Sequence, residues 1–179
     1  MRFSQPHVQP TMLTKWRELP GARARDGAPD CTAGEIWLAP ADWALHPPWL
    51  LHIGATILWE CLGHKCEHRD GIDSARAMAV RTLPHLQGKT LSWCISIPRR
   101  FQTHPDVAFR SVRRELAQGG VVVCYCLHSH HRSVGSLCMF FIAELRASFA
   151  DAATILRDHE PQELHRSREI FAAQGPRQS

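Results

Sequence analysis

The chain has 179 residues, of which 44% are hydrophobic, and its 21 Lys or Arg against 17 Asp or Glu leave a formal net charge of +4. This length and apolar content are sufficient for one folded domain with its own core. The charge excess is small and no block of like charges occurs, so the composition excludes a strongly basic nucleic-acid-binding tail and is compatible with phosphorylated ligands or RNA.

Neither the first residues nor the internal apolar stretches predict export or membrane insertion. Residues 1–10 have no apolar core of the kind that signal peptides carry. The longest apolar stretch, residues 49–59, is interrupted by His52 and is too short to span a bilayer. The seven cysteines are irregularly spaced and are expected to be reduced thiols. We therefore expect a cytoplasmic protein with no membrane partner and no cofactor.

The first 48 residues are rich in proline and only weakly patterned, which predicts a partly disordered N-terminal arm. A short helix is expected over 11–19, ended by Pro20. The folded domain is predicted to cover residues 49–174, and residues 175–179 form a tail.

Three strands are predicted in the first half of the domain. The run over 50–60 is typical of a buried strand and is followed by a loop over 61–68. A turn over 71–74 leads to a second predicted strand over 75–83, which Pro84 ends. Weak alternation over 91–97 predicts a third strand.

The second half of the domain is predicted to alternate between helices and one central strand. Thr103 and Asp106 have the spacing of a capping box and predict the start of a helix, which Gly119 ends. The β-branched run over 121–126 predicts a buried strand, and the apolar spacing over 132–150 predicts the helix that follows.

A final helix is expected over 160–173. Because strands alternate with helices, the predicted fold class is a single α/β domain with a mainly parallel sheet flanked by helices. Ligands of such sheets bind beside the carboxyl ends of the strands. The loops that follow the predicted strands are therefore the expected functional edge.

The loop between the central strand and its helix has the composition of an anion site. Backbone N–H groups of a short loop and a helix N-terminus converge on one point and favour a phosphate there. A guanidinium from Arg132 would bind such a group in a bidentate manner. The predicted ligand-binding residues on this loop are Cys126, Leu127, His128, Ser129, His130, His131, Arg132 and Ser133, joined from neighbouring loops by Arg81, His64 and Lys65.

Four short motifs of this chain resemble motifs of the C-terminal domain of the RNase adapter protein RapZ family, and they occur in the same order. That family ends a strand with C-T-G-G-x-H-R-S-V, and it carries upstream segments similar to S-F-G-x-K, D-A-D-x-x-x-D-V-R-x-L-P and T-G-x-D. The matching residues are Cys126, His131, Arg132, Ser133, Val134, Gly63, Lys65, Asp73, Val80, Arg81, Leu83, Pro84, Thr103 and Asp106.

The resemblance implies an α/β fold that binds a phosphorylated small molecule, such as a phosphosugar or a nucleotide. It also implies adapter work with an RNA or protein partner. The chain departs from the family at His128 and Ser129, which replace two loop glycines, and at Ala79, which replaces an aspartate. The family's separate nucleotide-binding domain has no counterpart, because no G-x-x-x-x-G-K-[ST] motif occurs.

Cys126 and Arg132 also have the Cys-x5-Arg spacing of tyrosine or dual-specificity phosphatases. In that alternative Cys126 attacks phosphorus, Arg132 holds the phosphoryl oxygens and an aspartate protonates the leaving group. The histidine usual before the cysteine is Tyr125 here, and Asp106 is assigned to a helix cap. The sequence leaves enzymatic activity open.

A second alternative is a zinc site, because cysteine and histidine are ligands that zinc prefers. Cys124, Cys126, His128 and His130 alternate along an extended segment, and Cys61, His64, Cys66 and His68 form a second cluster. Neither spacing matches a standard zinc finger or ribbon, so buried thiols and solvated histidines are the competing interpretation.

Overall fold

The computed structural model describes residues 9–63, 66–94, 104–128 and 132–157. Its centre is a five-stranded sheet with the order β1-β2-β5-β3-β4. The strands are β1 (Thr11–Leu13), β2 (Glu35–Pro40), β3 (Ile57–Glu60), β4 (Thr90–Ser92) and β5 (Val121–Cys126). The helices are α1 (Ala41–Ala44), α2 (Pro47–Ile53), α3 (Arg69–Thr82), α4 (Pro105–Ala117), α5 (Arg132–Ala143) and α6 (Phe149–Leu156).

The central strand β5 is buried over all six of its residues and lies between β2 and β3. Its partners run parallel to it, with Val123 opposite Trp37 on one side and opposite Leu58 on the other. A β-branched run that is covered on both faces is what an interior parallel strand requires. The predicted position of β5, and the predicted α/β class with a mainly parallel sheet, are both confirmed. Only β1 is antiparallel to its neighbour in this sheet.

Helices cover both faces of the sheet. Trp59 of β3 points to one face, where its ring lies 6.0 Å from the rings of Phe109 in α4 and Phe140 in α5. The next residue, Glu60, points to the opposite face because side chains alternate along a strand. There it contacts Arg69 of α3. The fold is therefore a three-layer α/β sandwich.

Two predicted elements and one predicted boundary differ from the structure in the first part of the chain. Residues 50–53 belong to α2, and only Ile57–Glu60 of the predicted first strand is β. Two prolines open this helix and Gly54 ends it in the left-handed conformation at φ 67°. The predicted boundary near residue 48 is not a boundary of the sheet, since β2 pairs directly with β5. The predicted helix over 11–19 is strand β1 followed by a 3-10 turn at Lys15–Glu18.

The predicted second strand over 75–83 is wrong, because residues 75–82 and the predicted turn over 71–74 belong to α3, and Leu83 caps its end. The apolar residues Ile72, Ala79 and Leu83 are buried at helical spacing. Arg69 bonds to Asp73 one turn along, so the charges also follow the helical repeat. Alanine-rich segments favour helix over strand, and that preference decided the outcome.

The remaining differences concern the ends of elements. The helix after β5 ends at Ala143, and Ser148 begins α6 by accepting a hydrogen bond from the Asp151 N–H. His104 caps α4, while Gly119 follows its end at φ 75° as predicted. Only Thr90–Ser92 is described as strand β4. Thr103, residues 95–97 of the predicted third strand, the predicted final helix and the predicted tail lie outside the described residues.

No helix within these described ranges is long and apolar enough to cross a membrane.

Candidate functional site

The carboxyl ends of the four parallel strands lie at one edge of the sheet, and their loops contact each other there. Directly after β2, the N–H of Ala41 donates to the carbonyl of Leu127, 3.5 Å away. Directly after β3, the N–H of Cys61 donates to the carbonyl of Tyr125 at 2.8 Å. The loops following β2, β3 and β5 are therefore neighbours, as the sequence predicted for the loops after β3 and β5.

Arg132 is the first residue of α5, and its side chain is exposed at this edge. Its guanidinium lies against the loop after β3, where a Cβ built on Gly63 would be 3.4 Å from Nη1. No carboxylate of the described residues forms an ion pair with it. The amino end of a helix of this length adds partial positive charge at the same point. The edge therefore presents a cation without an internal counter-ion in the described part of the chain.

Cys126 and Ser133 lie beneath Arg132 and bind each other. Cys126 is only 3% exposed and Ser133 is fully buried. The Ser133 hydroxyl donates to the Cys126 sulfur, with 3.2 Å between Oγ and Sγ. Ser133 was predicted to offer its hydroxyl to a ligand, whereas the structure directs that hydroxyl at the thiol. Ser133 therefore holds the sulfur in place and does not line the open edge.

The other thiols near this point are packed inside the domain. Cys61 and Cys124 are fully buried with their sulfurs 3.6 Å apart. Burial raises the pKa of the Cys124 thiol, and it raises the pKa of the Cys61 thiol well above its ordinary value. Such thiols are poor metal ligands and poor nucleophiles at neutral pH, because both roles need the thiolate.

The cysteines and histidines proposed for zinc do not assemble in the described ranges. There, no group of three or more His, Cys, Asp or Glu side chains could hold a metal ion. Cys124 points into the core next to α5, and His128 is half-buried beyond the end of β5. His130 lies outside the described residues.

The remaining predicted ligand residues divide into three groups. Leu127 and His128 are half-buried at the edge, directly after β5. Ser129, His131, His64 and Lys65 lie outside the described residues, the last two immediately after Gly63. Arg81 is exposed in the last turn of α3, where Nη2 lies 3.2 Å from the Met78 sulfur. Since α3 leaves the carboxyl edge at its first residue, Arg81 is roughly 18 Å along the helix from that edge and is not part of the site.

Asp42 is an edge residue that the sequence interpretation missed. It is the second residue after β2, next to Ala41, whose N–H bonds to Leu127, and its Oδ1 accepts from the Trp43 N–H at 3.1 Å. The sequence predicts a partly disordered arm for this segment. The sequence does contain a signal for Asp42, because a short, mostly apolar run, Glu35–Pro40, comes just before it. Such a run is typical of a buried strand, and a carboxylate that follows it is expected at the edge of the sheet.

Glu60 was also missed, and among the described residues it is the most deeply buried charge at this edge. Its fully buried carboxylate accepts from Arg69 Nη1 at 2.6 Å, from Arg76 Nη1 and from the Tyr125 hydroxyl at 2.9 Å. Asp73 binds both arginines, which leaves two cations facing two carboxylates. Burial and the neighbouring Glu60 charge raise the pKa of Tyr125 well above its usual value. This neutral network fixes the start of α3 against β3 and β5, and with it the loop that carries Gly63.

No protein-family model matches the chain, and no curated protein matches it. The resemblance to the RapZ C-terminal domain therefore stays a prediction that rests on the short motifs alone. In the structure, two of those motifs meet at the carboxyl edge, through Gly63 and Arg132. The motif that includes Arg81 lies at the far end of α3.

Proposed function

We propose that the protein binds a phosphorylated small molecule at the carboxyl edge of its sheet, between the loops that follow β2, β3 and β5. The observation that carries this proposal is the exposed guanidinium of Arg132, which opens α5 without a carboxylate partner among the described residues. Open parallel sheets bind ligands at this edge. A planar guanidinium beside helix N–H groups is suited to phosphate oxygens.

The resemblance to the RapZ C-terminal domain supports a phosphosugar or nucleotide as the ligand, and adapter work with an RNA or protein partner. His64 and Lys65 follow Gly63 in the sequence, and we propose that Lys65 adds a second cation to the site and His64 a hydrogen-bonding ring nitrogen. Leu127 and His128 would form its floor. The Glu60 network would hold the loops after β3 and β5 next to each other, since it binds the end of β3, which leads into Gly63, to Tyr125 of β5.

The test is a calorimetric titration of the full chain with inorganic phosphate and with a panel of phosphosugars and nucleotides. Arg132→Ala should weaken the best ligand by about 10- to 100-fold, because hydrogen bonds to charged groups contribute roughly 1.5–3 kcal/mol each. Arg132→Lys should recover part of the affinity, since it keeps the charge and loses the planar fork. The stability of the free protein should change by less than about 0.5 kcal/mol.

Arg114 provides the matched control, because it is also an exposed helical arginine but lies in the last turn of α4. Arg114→Ala should leave the affinity unchanged. Unchanged affinity in Arg132→Ala together with a large loss of stability would contradict the proposal and identify Arg132 as a structural residue.

A second candidate is phosphate-ester hydrolysis, and the Ser133 hydroxyl directed at the Cys126 sulfur favours it. In this reaction the thiolate attacks phosphorus, and the bond from phosphorus to the leaving oxygen breaks. The Asp42 carboxyl at the same edge donates the proton that the leaving oxygen takes up. Water then attacks phosphorus and gives a proton to the Asp42 carboxylate, and the bond from phosphorus to sulfur breaks, which releases inorganic phosphate and restores the Cys126 thiolate. The 3% exposure of Cys126 is the observation against it.

Hydrolysis of an aryl phosphate separates the two candidates. If the loop is catalytic, the wild-type protein turns over the ester, Cys126→Ser abolishes turnover and retains phosphate binding, and Asp42→Asn slows it. If the loop only binds, the wild-type protein shows no turnover above buffer, which is the result we expect.

A further inference from the structure

Three partly exposed tryptophans form a row on one side of the sheet, where α1 and α2 pack on β2. The ring of Trp49 in α2 lies 5.7 Å from the ring of Trp37 in β2 and 6.1 Å from the ring of Trp43 in α1, and both pairs meet edge to face. Met12 of β1 is 40% exposed and lies opposite Trp37 in the antiparallel pair, so its side chain borders the same row. We call these four residues the tryptophan face.

Glu35 places a carboxylate at one end of the tryptophan face. Its Oε2 accepts from the Trp37 indole Nε1 at 3.0 Å, which holds the carboxylate beside the ring. Glu35 forms no ion pair with any described residue, and Arg17 donates to the carbonyl of the adjacent Gly34 instead. The second carboxylate oxygen, Oε1, accepts no hydrogen bond from the described residues and is not buried. It is therefore open to a donor that approaches from solvent.

An indole ring beside an open carboxylate is suited to a guanidinium. The negative face of the ring attracts cations, and a planar guanidinium both stacks on an aromatic ring and donates to a carboxylate. The chain already contains the stacking contact, because the guanidinium carbon of Arg17 lies 5.3 Å from the centroid of the Trp16 ring. A quaternary ammonium has no N–H for Glu35. Phosphates of a nucleic acid or an anionic lipid would be repelled by Glu35 and by Asp42, which precedes Trp43.

We propose that the tryptophan face docks a segment of a partner protein, whose arginine side chain stacks on Trp37 and pairs with Glu35. Apolar neighbours of that arginine contact Met12 and Trp49. Tryptophan, methionine and arginine are enriched at protein interfaces, where aromatic rings supply most of the buried contact area. The tryptophan face is distinct from the carboxyl edge, because Glu35 is the first residue of β2 and lies roughly 17 Å along the strand from its last residue.

The test uses the full chain in phosphate-free buffer and the synthetic peptide acetyl-Gly-Ser-Leu-Arg-Leu-Ser-Gly-amide. In two control peptides, lysine or citrulline replaces the arginine. Nitrogen–proton correlation spectra follow the indole Nε1–H signal of Trp37, which is assigned by its loss in Trp37→Phe. We expect a saturable shift with the arginine peptide and weaker binding of the lysine peptide, which loses the planar fork. The citrulline peptide, which keeps the planar shape and loses the charge, should bind at least tenfold more weakly.

Glu35→Gln tests the carboxylate, because it removes the charge and keeps an oxygen that can accept from the Trp37 indole. It should weaken the arginine peptide at least tenfold. Glu18→Gln is the matched control, since Glu18 is exposed in the 3-10 turn before β2, and it should leave the midpoint unchanged.

Three results would overturn the proposal: a Trp37 signal that the arginine peptide does not move, equal midpoints for the arginine and citrulline peptides, or an unchanged midpoint in Glu35→Gln. Vesicles of phosphatidylglycerol and phosphatidylcholine in equal parts should leave the Trp37 signal unchanged. Loss of that signal with vesicles would also overturn the proposal and assign the tryptophan face to a membrane surface. No phosphorylated small molecule is present, so failure here is independent of the function proposed for the carboxyl edge.

Discussion

Glu60→Gln is the substitution that tests most directly how the carboxyl edge is held together. The change keeps the size of a fully buried side chain and removes its charge. Arg69 and Arg76, each with 25% of its side chain exposed, would then share only Asp73 as a carboxylate partner. The amide NH₂ of glutamine would also direct a donor at one of the two guanidinium groups, which are themselves donors only.

The expected loss in the free energy of unfolding follows from the burial of Glu60. Removal of one partner from a buried ion pair destabilises a protein by about 3–5 kcal/mol. Both arginines retain partial access to water, so we expect the lower end, about 3 kcal/mol. For a domain of this size each kcal/mol lowers the melting temperature by about 2–4 °C, which predicts a decrease of roughly 6–12 °C.

Urea denaturation at neutral pH measures this cost, with Asp73→Asn as the matched control. Asp73 binds the same two arginines but its side chain is 42% exposed. Its loss should therefore cost about 1 kcal/mol or less. Tyr125→Phe, which removes the hydroxyl that donates to Glu60, should fall between the two. Equal costs for Glu60→Gln and Asp73→Asn would refute the reasoning, because burial would then not determine the contribution of the network.

Three further predictions concern burial and packing elsewhere. Burial raises the pKa of the Cys138 thiol from 9.0 to about 12. Above pH 9 the unfolded chain therefore loses a proton that the folded chain keeps, and the free energy of unfolding should fall by up to about 1.4 kcal/mol per pH unit for this thiol. Cys138→Ala should make that slope measurably shallower in denaturation experiments between pH 8 and about 11. Of the seven cysteines only Cys66 is partly exposed, so a thiol reagent should label one site quickly in the folded protein, and fast labelling of several sites would contradict the buried arrangement. Gly34→Ala should destabilise the protein by about 1–3 kcal/mol in urea denaturation, because its Cβ would lie 2.6 Å from the Cα of Leu116; a neutral result would show that the two backbones can separate.

Local sequence was sufficient where one residue type or one repeat decided the conformation. The β-branched run of β5 required burial on both faces, and it forms the central strand. Gly119 ends α4 in the left-handed conformation that a side chain disfavours, and the apolar spacing after residue 132 produces α5. The order of these elements also predicted that Arg132 lies at the carboxyl edge of the sheet.

Tertiary structure decided what depended on distant partners. The short runs of β1 and β2 carry little local signal, and they become strands because β5 offers an unpaired edge for β2. Residues 75–83 were predicted to form a strand, yet Arg69 and Arg76 both meet Glu60 only because residues 69–82 form a helix that packs on β3. Arg113 is an ordinary helical arginine in the sequence, and it becomes a buried cation because residues from two other parts of the chain close over it. Such charges are placed by contacts between residues far apart in the chain, whereas periodicity reports only on neighbours a few residues away.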